Sequence, residues 1–410
     1  MTHRQGVLIL LILLFAITYL DRVCISVAAP RIQAELNIDP VGWGWVTGMF
    51  TLAYCLFEIP TGMMGDRIGP RRVLARIVLW WSAFTVMTGA VSNYYLLLFI
   101  RFCFGAGEAG AFPNSSVVVA RWFPVTQRAT ISAVTLMASQ IGGAMAPLLV
   151  IPIQTHYGWR ATFYVFGVLG VFWAAAWYAW FRDSPAEMKG VSAAELRGVE
   201  APMRGAGHRL PWGAALRSRS VLALMIAVAC YAYVFNFYQT WFHTFLVKGR
   251  GFPESRLWMS AAPFVIAALS TMLGGVLSDY LVRRLGPKAG RRALGMGSLS
   301  AAGVFVLAAM MVRDQTPTVL FLGLTYGAIT FQQAGVFGVL LDIGHNYAGA
   351  MGGLLNTAAQ IGGLTGSVLY GYIVKHAGNY EAPFLPMAAA LFLGAFLWTR
   401  IDASQELNSP

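Results

Sequence analysis

Long apolar runs separated by short polar stretches make up most of the 410-residue chain. Twelve of these runs contain about 20 residues, the length at which a helix crosses the hydrocarbon core of a bilayer. They cover residues 6–29, 43–64, 73–92, 95–120, 129–153, 160–181, 219–246, 257–282, 293–312, 317–341, 347–374 and 383–400. The alternating pattern of an outer-membrane barrel is absent from the sequence. The chain is therefore predicted to be an all-α membrane protein with twelve transmembrane helices.

The longest polar stretch divides these spans into two groups of six. It predicts a cytoplasmic linker, 182–218, between an N-terminal six-helix bundle, 1–181, and a C-terminal six-helix bundle, 219–410. An internal repeat supports this division, because Ser139–Gly143 (SQIGG) in the fifth span recurs 220 positions later as Ala359–Gly363 (AQIGG) in the eleventh. We therefore expect two pseudo-symmetric bundles, an arrangement that transporters combine with a substrate site near the bilayer midplane.

The distribution of charge predicts the orientation of the chain in the membrane. With 57% hydrophobic residues, 11% charged residues and a mean hydropathy of +0.62, the chain is too apolar for a soluble protein of this size. If the N-terminus is cytoplasmic, 20 of the 29 Lys and Arg fall on the cytoplasmic side and seven on the opposite side. We expect a multi-pass protein of a bacterial cytoplasmic (inner) membrane with both termini in the cytoplasm. The positive-inside topology then accounts for the net charge of +12, together with attraction to anionic lipids of the bilayer. We expect no nucleic acid as partner.

Four charged residues lie inside predicted spans one and four. Asp21 and Arg22 are adjacent in span one, whereas Arg101 and Glu108 lie seven residues apart in span four, on one face of the helix. A charge at this depth costs roughly 2.5 to 3.5 kcal/mol by insertion scales, so such residues indicate a polar cavity inside the bundle. An arginine can bind a carboxylate with two parallel hydrogen bonds, and a carboxyl that loses its arginine to a substrate can take up a proton. The set predicts proton-coupled anion transport; the alternative is a salt-bridge network that only joins helices one and four.

A loop rich in glycine and arginine follows span two and is partly repeated after span eight. The first copy runs from Gly62 to Arg72 (GMMGDRIGPRR), and the second begins at Gly275 (GVLSD). An aspartate at a helix end can accept from a neighbouring helix N-terminus, and arginines can hold a gate closed. We interpret both copies as cytoplasmic gates; the alternative is that their charges only enforce topology. The predicted gating residues are Gly62, Asp66, Arg67, Gly69, Arg71, Arg72, Asp279 and Arg283.

The first loop resembles the signature loop of the major facilitator superfamily, and nearly the whole chain is similar to the anion:cation symporter family within it. That family contains bacterial hexuronate, glucarate and galactonate permeases and the sialin and vesicular glutamate transporters. The matching segments are Tyr19–Arg22 (YLDR), Arg101 with Gly107–Gly110 (GEAG), Phe112–Asn114 (FPN), Arg121–Pro124 (RWFP), Arg128, Tyr238–Phe242 (YQTWF), Asp342, Tyr347–Gly349 (YAG) and Asn356.

The resemblance implies a proton-coupled permease that moves an organic anion by alternating access, with a hexuronate, an aldonate or an aldarate as substrate. It implies that Arg22 binds the substrate carboxylate. Asp21 and Glu108 would carry protons, with Arg101 as the charge partner of Glu108. The other substrate-binding candidates are polar or aromatic residues that could meet hydroxyl groups: Tyr19, Tyr54, Gln140, Tyr238, Gln239, Trp241, Asn356 and Gln360. The alternative for each of these is a hydrogen bond that packs two helices together.

Other function classes find no support in the sequence. It contains no His-rich metal spacing, nucleotide loop or nucleophile elbow, so we expect no enzyme activity, no catalytic residue, no metal and no cofactor besides the coupling protons. An exporter of a drug or metabolite is the alternative within the same fold, although the paired arginines disfavour it, and a membrane sensor is a further one.

Glu58 replaces a neutral residue common in sugar-acid permeases and either pairs with a gate arginine or faces the cavity. We expect a monomer without disulfides, because all four cysteines lie in spans.

Overall fold

The computed structural model of the chain describes residues 2–188, 190–191, 212–344 and 348–404. Within these ranges the protein consists of helices and their connections, without a strand. The helices are α1 (His3–Glu35), α2 (Pro40–Ile68), α3 (Pro70–Gly89), α4 (Tyr94–Glu108), α5 (Ala111–Trp122), α6 (Val125–Tyr157), α7 (Trp159–Trp180), α8 (Trp212–Arg217), α9 (Arg219–Thr240), α10 (Ala262–Met311), α11 (Gln315–Phe331), α12 (Gln333–Gly344), α13 (Ala348–Ala377) and α14 (Phe384–Trp398). Shorter helical turns cover Pro185–Glu187, Phe242–Thr244, Phe245–Gly249 and Glu254–Ala261.

Every predicted span coincides with helix over the described residues, although some spans are interrupted. Span four is divided into α4 and α5 at Gly110, whose φ of +91° places it in the left-handed region that favours glycine. Spans eight and nine both lie in α10, where Gly286 (φ +79°) and Pro287 break the helical geometry. Seven helical stretches of the described chain are long and apolar enough to cross a membrane: His3–Glu35, Tyr94–Trp122, Thr130–Tyr157, Trp159–Trp180, Arg219–Thr240, Glu254–Met311 and Gln315–Gly344.

The chain divides into two compact units. Unit 1 contains Met1–Ile38 and Met49–Ala206, and unit 2 contains Asp39–Gly48 and Gly207–Pro410, so α2 begins in unit 2 and continues into unit 1. In unit 1, α1 packs on α6 and α3 packs on α7. In unit 2, α9 packs on α13 and α10 packs on α11 and α14. The domain boundaries derived from the sequence stay a prediction, and most of the predicted linker, 192–211, lies outside the described residues.

The internal repeat reappears as a repeated packing contact within each unit. A Cβ atom on Gly142 would collide with the carbonyl oxygen of Ala16, where α6 crosses α1. A Cβ atom on Gly362, 220 positions later, would collide in the same way with the carbonyl oxygen of Ala229, where α13 crosses α9. Small residues at such crossings let two membrane helices approach backbone to backbone. The SQIGG and AQIGG segments therefore have the same structural role in the two units.

Tryptophans fix the scaffold that carries α1. The Trp173 indole donates to the carbonyl oxygen of Leu10 at 2.9 Å and thereby joins α7 to α1. Trp177 stacks on Phe181 with ring centroids 3.8 Å apart and donates to the carbonyl oxygen of Arg71 at 3.1 Å. Such aromatic pairs contribute about 0.5–1.5 kcal/mol beyond their buried area. The Trp173 contact therefore holds α1 against α7, and the Trp177 contact holds α3 against α7.

Candidate functional site

The centre of the site is an ion pair between α1 and α4. Arg22 donates through Nε to Oε1 of Glu108, the last residue of α4. The side chain of Glu108 is 1% exposed and that of Arg22 is 21% exposed, so the carboxylate is sealed whereas the guanidinium is partly open. α4 ends here because Gly110 adopts a left-handed conformation in the connection that leads into α5.

Three aromatic rings surround the guanidinium of Arg22. The distances from Cζ to the ring centroids are 5.4 Å for Tyr19, 5.1 Å for Phe50 and 4.8 Å for Tyr54. Tyr19 belongs to α1 and lies three residues before Arg22, whereas the other two belong to α2. Cation–π contacts of this kind contribute about 0.5–2 kcal/mol each, more as water is excluded. The rings therefore hold the guanidinium in place.

Asp21 and Arg101 complete the charged set but are buried more deeply. Each is 3% exposed. The carboxyl group of Asp21 lies close to Glu108, Arg101 and the Trp81 indole, and neither of its oxygens makes a hydrogen bond of regular geometry with a described residue. The guanidinium of Arg101 lies over the rings of Phe50 and Phe104, at 5.4 Å and 4.5 Å from their centroids. All four charged residues predicted from the sequence thus lie in one cluster of unit 1.

The expected pairing of Arg101 with Glu108 differs from the observed one. Glu108 pairs with Arg22, and Arg101 has no carboxylate within ion-pair distance among the described residues. The physical reason is the spacing: seven residues share a helix face but are separated by about 10.5 Å along the axis. Arg22 reaches the carboxylate from the neighbouring helix over a shorter path.

The predicted hydroxyl-binding residues divide into two groups. Tyr19 and Tyr54 lie beside Arg22, and Gln140 is buried on α6, the helix that packs on α1. Asn356 and Gln360 lie in unit 2, both half-buried and four residues apart on one face of α13.

The span-seven candidates make hydrogen bonds within unit 2. The Tyr238 hydroxyl donates to the carbonyl oxygen of Leu322 at 2.7 Å, and the Trp241 indole donates to that of Ser367 at 3.0 Å. Gln239 is 9% exposed and donates through Nε2 to the Tyr326 hydroxyl at 3.0 Å. These contacts pack α9 against α11 and α13, which agrees with the alternative that these side chains join helices.

The first predicted gate joins α3 to α7. The backbone N–H of Arg71 donates to Oδ1 of Asp183 at 2.8 Å, and its Nη2 donates to the carbonyl oxygen of Tyr178 at 2.6 Å. Gly69, with φ +86°, forms the turn before α3, and Gly62 packs against Pro113 of α5. Arg67 and Arg72 are exposed, and the side chain of Asp66 lies outside the described part of the chain.

In the second predicted gate, the polar contacts are centred on Arg291, which is not among the predicted gating residues. Arg291 donates through Nη1 to Ser278 Oγ at 2.6 Å and pairs through Nε with Oδ2 of Asp342 at 3.2 Å. The predicted residues Asp279 and Arg283 are exposed, and Arg283 donates to the carbonyl oxygen of Asp279 in its own helix at 3.2 Å. Asp342 belongs to the matching segments, but it lies 51 residues from Arg291 in the sequence, so no local pattern indicated their pairing.

Comparison with known proteins identifies the family. The model of the Major Facilitator Superfamily matches residues 11–367. The chain belongs to the major facilitator superfamily. It is a membrane transporter of that family and not an enzyme. It is 32% identical to "Probable sulfoacetate transporter SauU" of Cupriavidus necator over 99% of this chain and 96% of that protein. It is 28% identical to "Hexuronate transporter" of Bacillus subtilis over 93% of this chain and 90% of that protein.

A solved structure supports the fold independently. A bacterial homologue of the human lysosomal transporter Spinster, crystallised in an inward-facing and occupied conformation, matches with a TM-score of 0.78. The match covers 97% of this chain and 96% of that one, at 21% sequence identity. At this identity the likeness concerns the fold alone, which is the twelve-helix fold expected from the sequence.

Proposed function

We propose that the chain carries a small organic anion, a sugar acid such as a hexuronate, an aldonate or an aldarate, into the cell together with protons by alternating access. The observation that carries the proposal is the partly open guanidinium of Arg22, paired with the sealed carboxylate of Glu108 beneath three aromatic rings. The hexuronate and sulfoacetate for which the two relatives are named are both small organic acids, which supports the same substrate class.

The substrate carboxylate would compete with Glu108 for Arg22. Nε of Arg22 donates to Glu108 and the guanidinium is partly open, so its terminal nitrogens can donate to an incoming carboxylate. A planar guanidinium can bind a carboxylate with two parallel hydrogen bonds, which a point charge cannot do. Once the substrate occupies Arg22, Glu108 is left as a buried carboxylate without its counter-ion. Because an unpaired buried charge is costly, Glu108 then takes up a proton, and anion and proton binding favour each other.

Asp21 would carry the second proton. Its carboxyl is buried beside Glu108 and Arg101, and the charge on either acid changes the cost of charging the other. Arg101 would balance the charge of the cluster without touching the substrate, because it is 3% exposed and covered by two phenyl rings. Asn356 and Gln360 stay predicted substrate-binding residues. We further propose that the protein works as a monomer in the inner membrane with both termini in the cytoplasm.

Uptake into proteoliposomes tests this function. The purified protein is reconstituted and offered a panel of labelled hexuronates, aldonates and aldarates, with and without an inward proton gradient. We expect at least one of these acids to accumulate above its equilibrium level only when the gradient is present. Accumulation of amphipathic cations against an opposite gradient would instead identify an exporter, and the absence of any transported solute would favour a sensor.

A further inference from the structure

Phe50 is the aromatic residue that contacts both arginines of the charged cluster. Its ring centroid lies 5.1 Å from Cζ of Arg22 and 5.4 Å from Cζ of Arg101. Tyr19 and Tyr54 contact only Arg22, and Phe104 contacts only Arg101, among the residues that the structure describes. Phe50 therefore contacts both the partly open arginine and the sealed one.

The position of Phe50 is fixed from several directions. Its ring packs against Tyr54 of α2 and Phe104 of α4, with centroids 5.9 Å and 5.6 Å apart. Its carbonyl oxygen lies where a Cβ atom on Gly105 would collide with it, so α4 approaches α2 most closely at this residue. A glycine at a helix crossing permits such an approach. The ring consequently has little freedom to move aside when a ligand binds to Arg22.

We propose that Phe50 positions Arg22 for the substrate anion and shields Arg101 from it. This inference rests on the proposed function of Arg22 as the anion site. A carboxylate that reached Arg101 would neutralise the cation that lies near both Asp21 and Glu108. The substrate would then compete with the acids for both arginines, and anion binding would no longer be linked to a single proton-accepting partner. An apolar ring in contact with both guanidinium groups would hinder this while stabilising both.

Three leucine variants separate positioning from simple packing. Phe50→Leu removes the ring that faces both arginines, Phe104→Leu removes one that faces only Arg101, and Phe57→Leu removes one that faces neither. Phe57 lies two turns after Phe50 on α2, and its ring packs against Phe102 of α4 with centroids 6.2 Å apart. It therefore provides a control with the same substitution on the same pair of helices.

Calorimetry with D-glucuronate and D-gluconate as probes measures the positioning role. We expect Phe50→Leu to weaken binding by about twofold to thirtyfold, the range that one cation–π contact contributes. Phe50→Tyr keeps the aromatic face and should restore binding to within about twofold of the unmodified protein. Phe57→Leu and Phe104→Leu should leave the affinity unchanged. Equal affinities for Phe50→Leu and Phe57→Leu would overturn the positioning role.

Arginine labelling measures the shielding role without using a substrate. Phenylglyoxal should modify Arg22 but not Arg101 in the unmodified protein, as read by peptide mass spectrometry. Phe50→Ala should make Arg101 reactive, whereas Phe57→Ala should not. If Phe50→Ala is not recovered in a folded form, Phe50→Leu is labelled in its place. Arg101 that stays unmodified in the Phe50 variant overturns the shielding role. A protein that binds neither sugar acid, yet shows the expected labelling, would contradict the proposed substrate and leave Phe50 as the shield of Arg101.

Discussion

Replacing Glu108 by glutamine tests the exchange of partners at Arg22 directly. In the substrate-free protein the carboxylate of Glu108 occupies Nε of Arg22, so an incoming anion has to compete with it. Glutamine has nearly the same volume, and its carbonyl oxygen can still accept from Nε, but it carries no charge. We therefore expect Glu108→Gln to bind the substrate anion more tightly than the unmodified protein and with a weaker dependence on pH.

The size of the effect follows from the bond that is replaced. A hydrogen bond to a charged partner contributes about 1.5–3 kcal/mol, whereas one between less strongly charged groups contributes about 0.5–1.5 kcal/mol. The competing partner therefore becomes weaker by about 1–2 kcal/mol, which corresponds to a decrease of about fivefold to thirtyfold in the Kd of the substrate. Because glutamine cannot take up a proton, the variant should exchange substrate across the membrane but should not accumulate it with a proton gradient.

Calorimetry across a pH series and proteoliposome counterflow provide the two measurements. Glu35→Gln is the matched control, because Glu35 also pairs with an arginine of unit 1, Arg160, but with its side chain 47% exposed. It should change neither the affinity nor its pH dependence. An affinity in Glu108→Gln that is unchanged or weaker would refute competition at Arg22, and accumulation at the normal level would make Glu108 a structural residue.

Three further predictions concern charge. Arg22→Lys keeps the positive charge but cannot bind two carboxylate oxygens in parallel, so the Kd for a sugar acid should rise by about tenfold to a hundredfold in calorimetry while the protein stays folded. The hydrogen bond from Lys288 lowers the pKa of Asp402 to about 2 from its usual 3.8. The pair should stabilise the detergent-solubilised protein fully above the usual value and progressively less as the pH falls towards 2, a pH dependence of the unfolding temperature that Asp402→Asn should remove. Finally, a monoanion carried with two protons moves one net charge, worth about 2.3 kcal/mol per 100 mV, so a valinomycin-imposed inside-negative potential should stimulate uptake; unchanged uptake would mean that one proton is coupled.

The helices were predictable because the membrane restricts the possibilities. A segment that crosses the bilayer has to satisfy its own backbone hydrogen bonds and expose apolar side chains, so length and hydropathy suffice to locate it. The interruptions were less predictable. Gly110 ends α4 beside Glu108, and Gly286 breaks the helical geometry between the eighth and ninth spans. Each depends on how neighbouring helices pack, which the composition of one span does not record.

The charged cluster was predictable for a related reason, because an acid and a base are rarely retained at bilayer depth without a use. Its internal pairing was not. Helical spacing relates residues within α4 but carries no information about a side chain from α1, and that side chain is the partner that Glu108 has. Phe50 could not be recognised either, since a phenylalanine in an apolar span reads as ordinary packing. Conversely, Tyr238 and Trp241 were predicted to contact the substrate, whereas the hydroxyl of one and the indole of the other donate to backbone carbonyl oxygens of neighbouring helices.

The two units share a packing rule but differ in their chemistry. The same glycine position brings α6 onto α1 and α13 onto α9, which is the structural trace of a repeated unit. Yet unit 1 holds two acids and two bases at depth, whereas the segments 220–247, 262–278, 293–312, 315–341, 348–374 and 384–399 of unit 2 contain no Asp, Glu, Lys or Arg. The charged cluster that is proposed to bind the anion therefore has no counterpart in these segments of unit 2. Under the proposed function, charge recognition and proton coupling belong to one repeat.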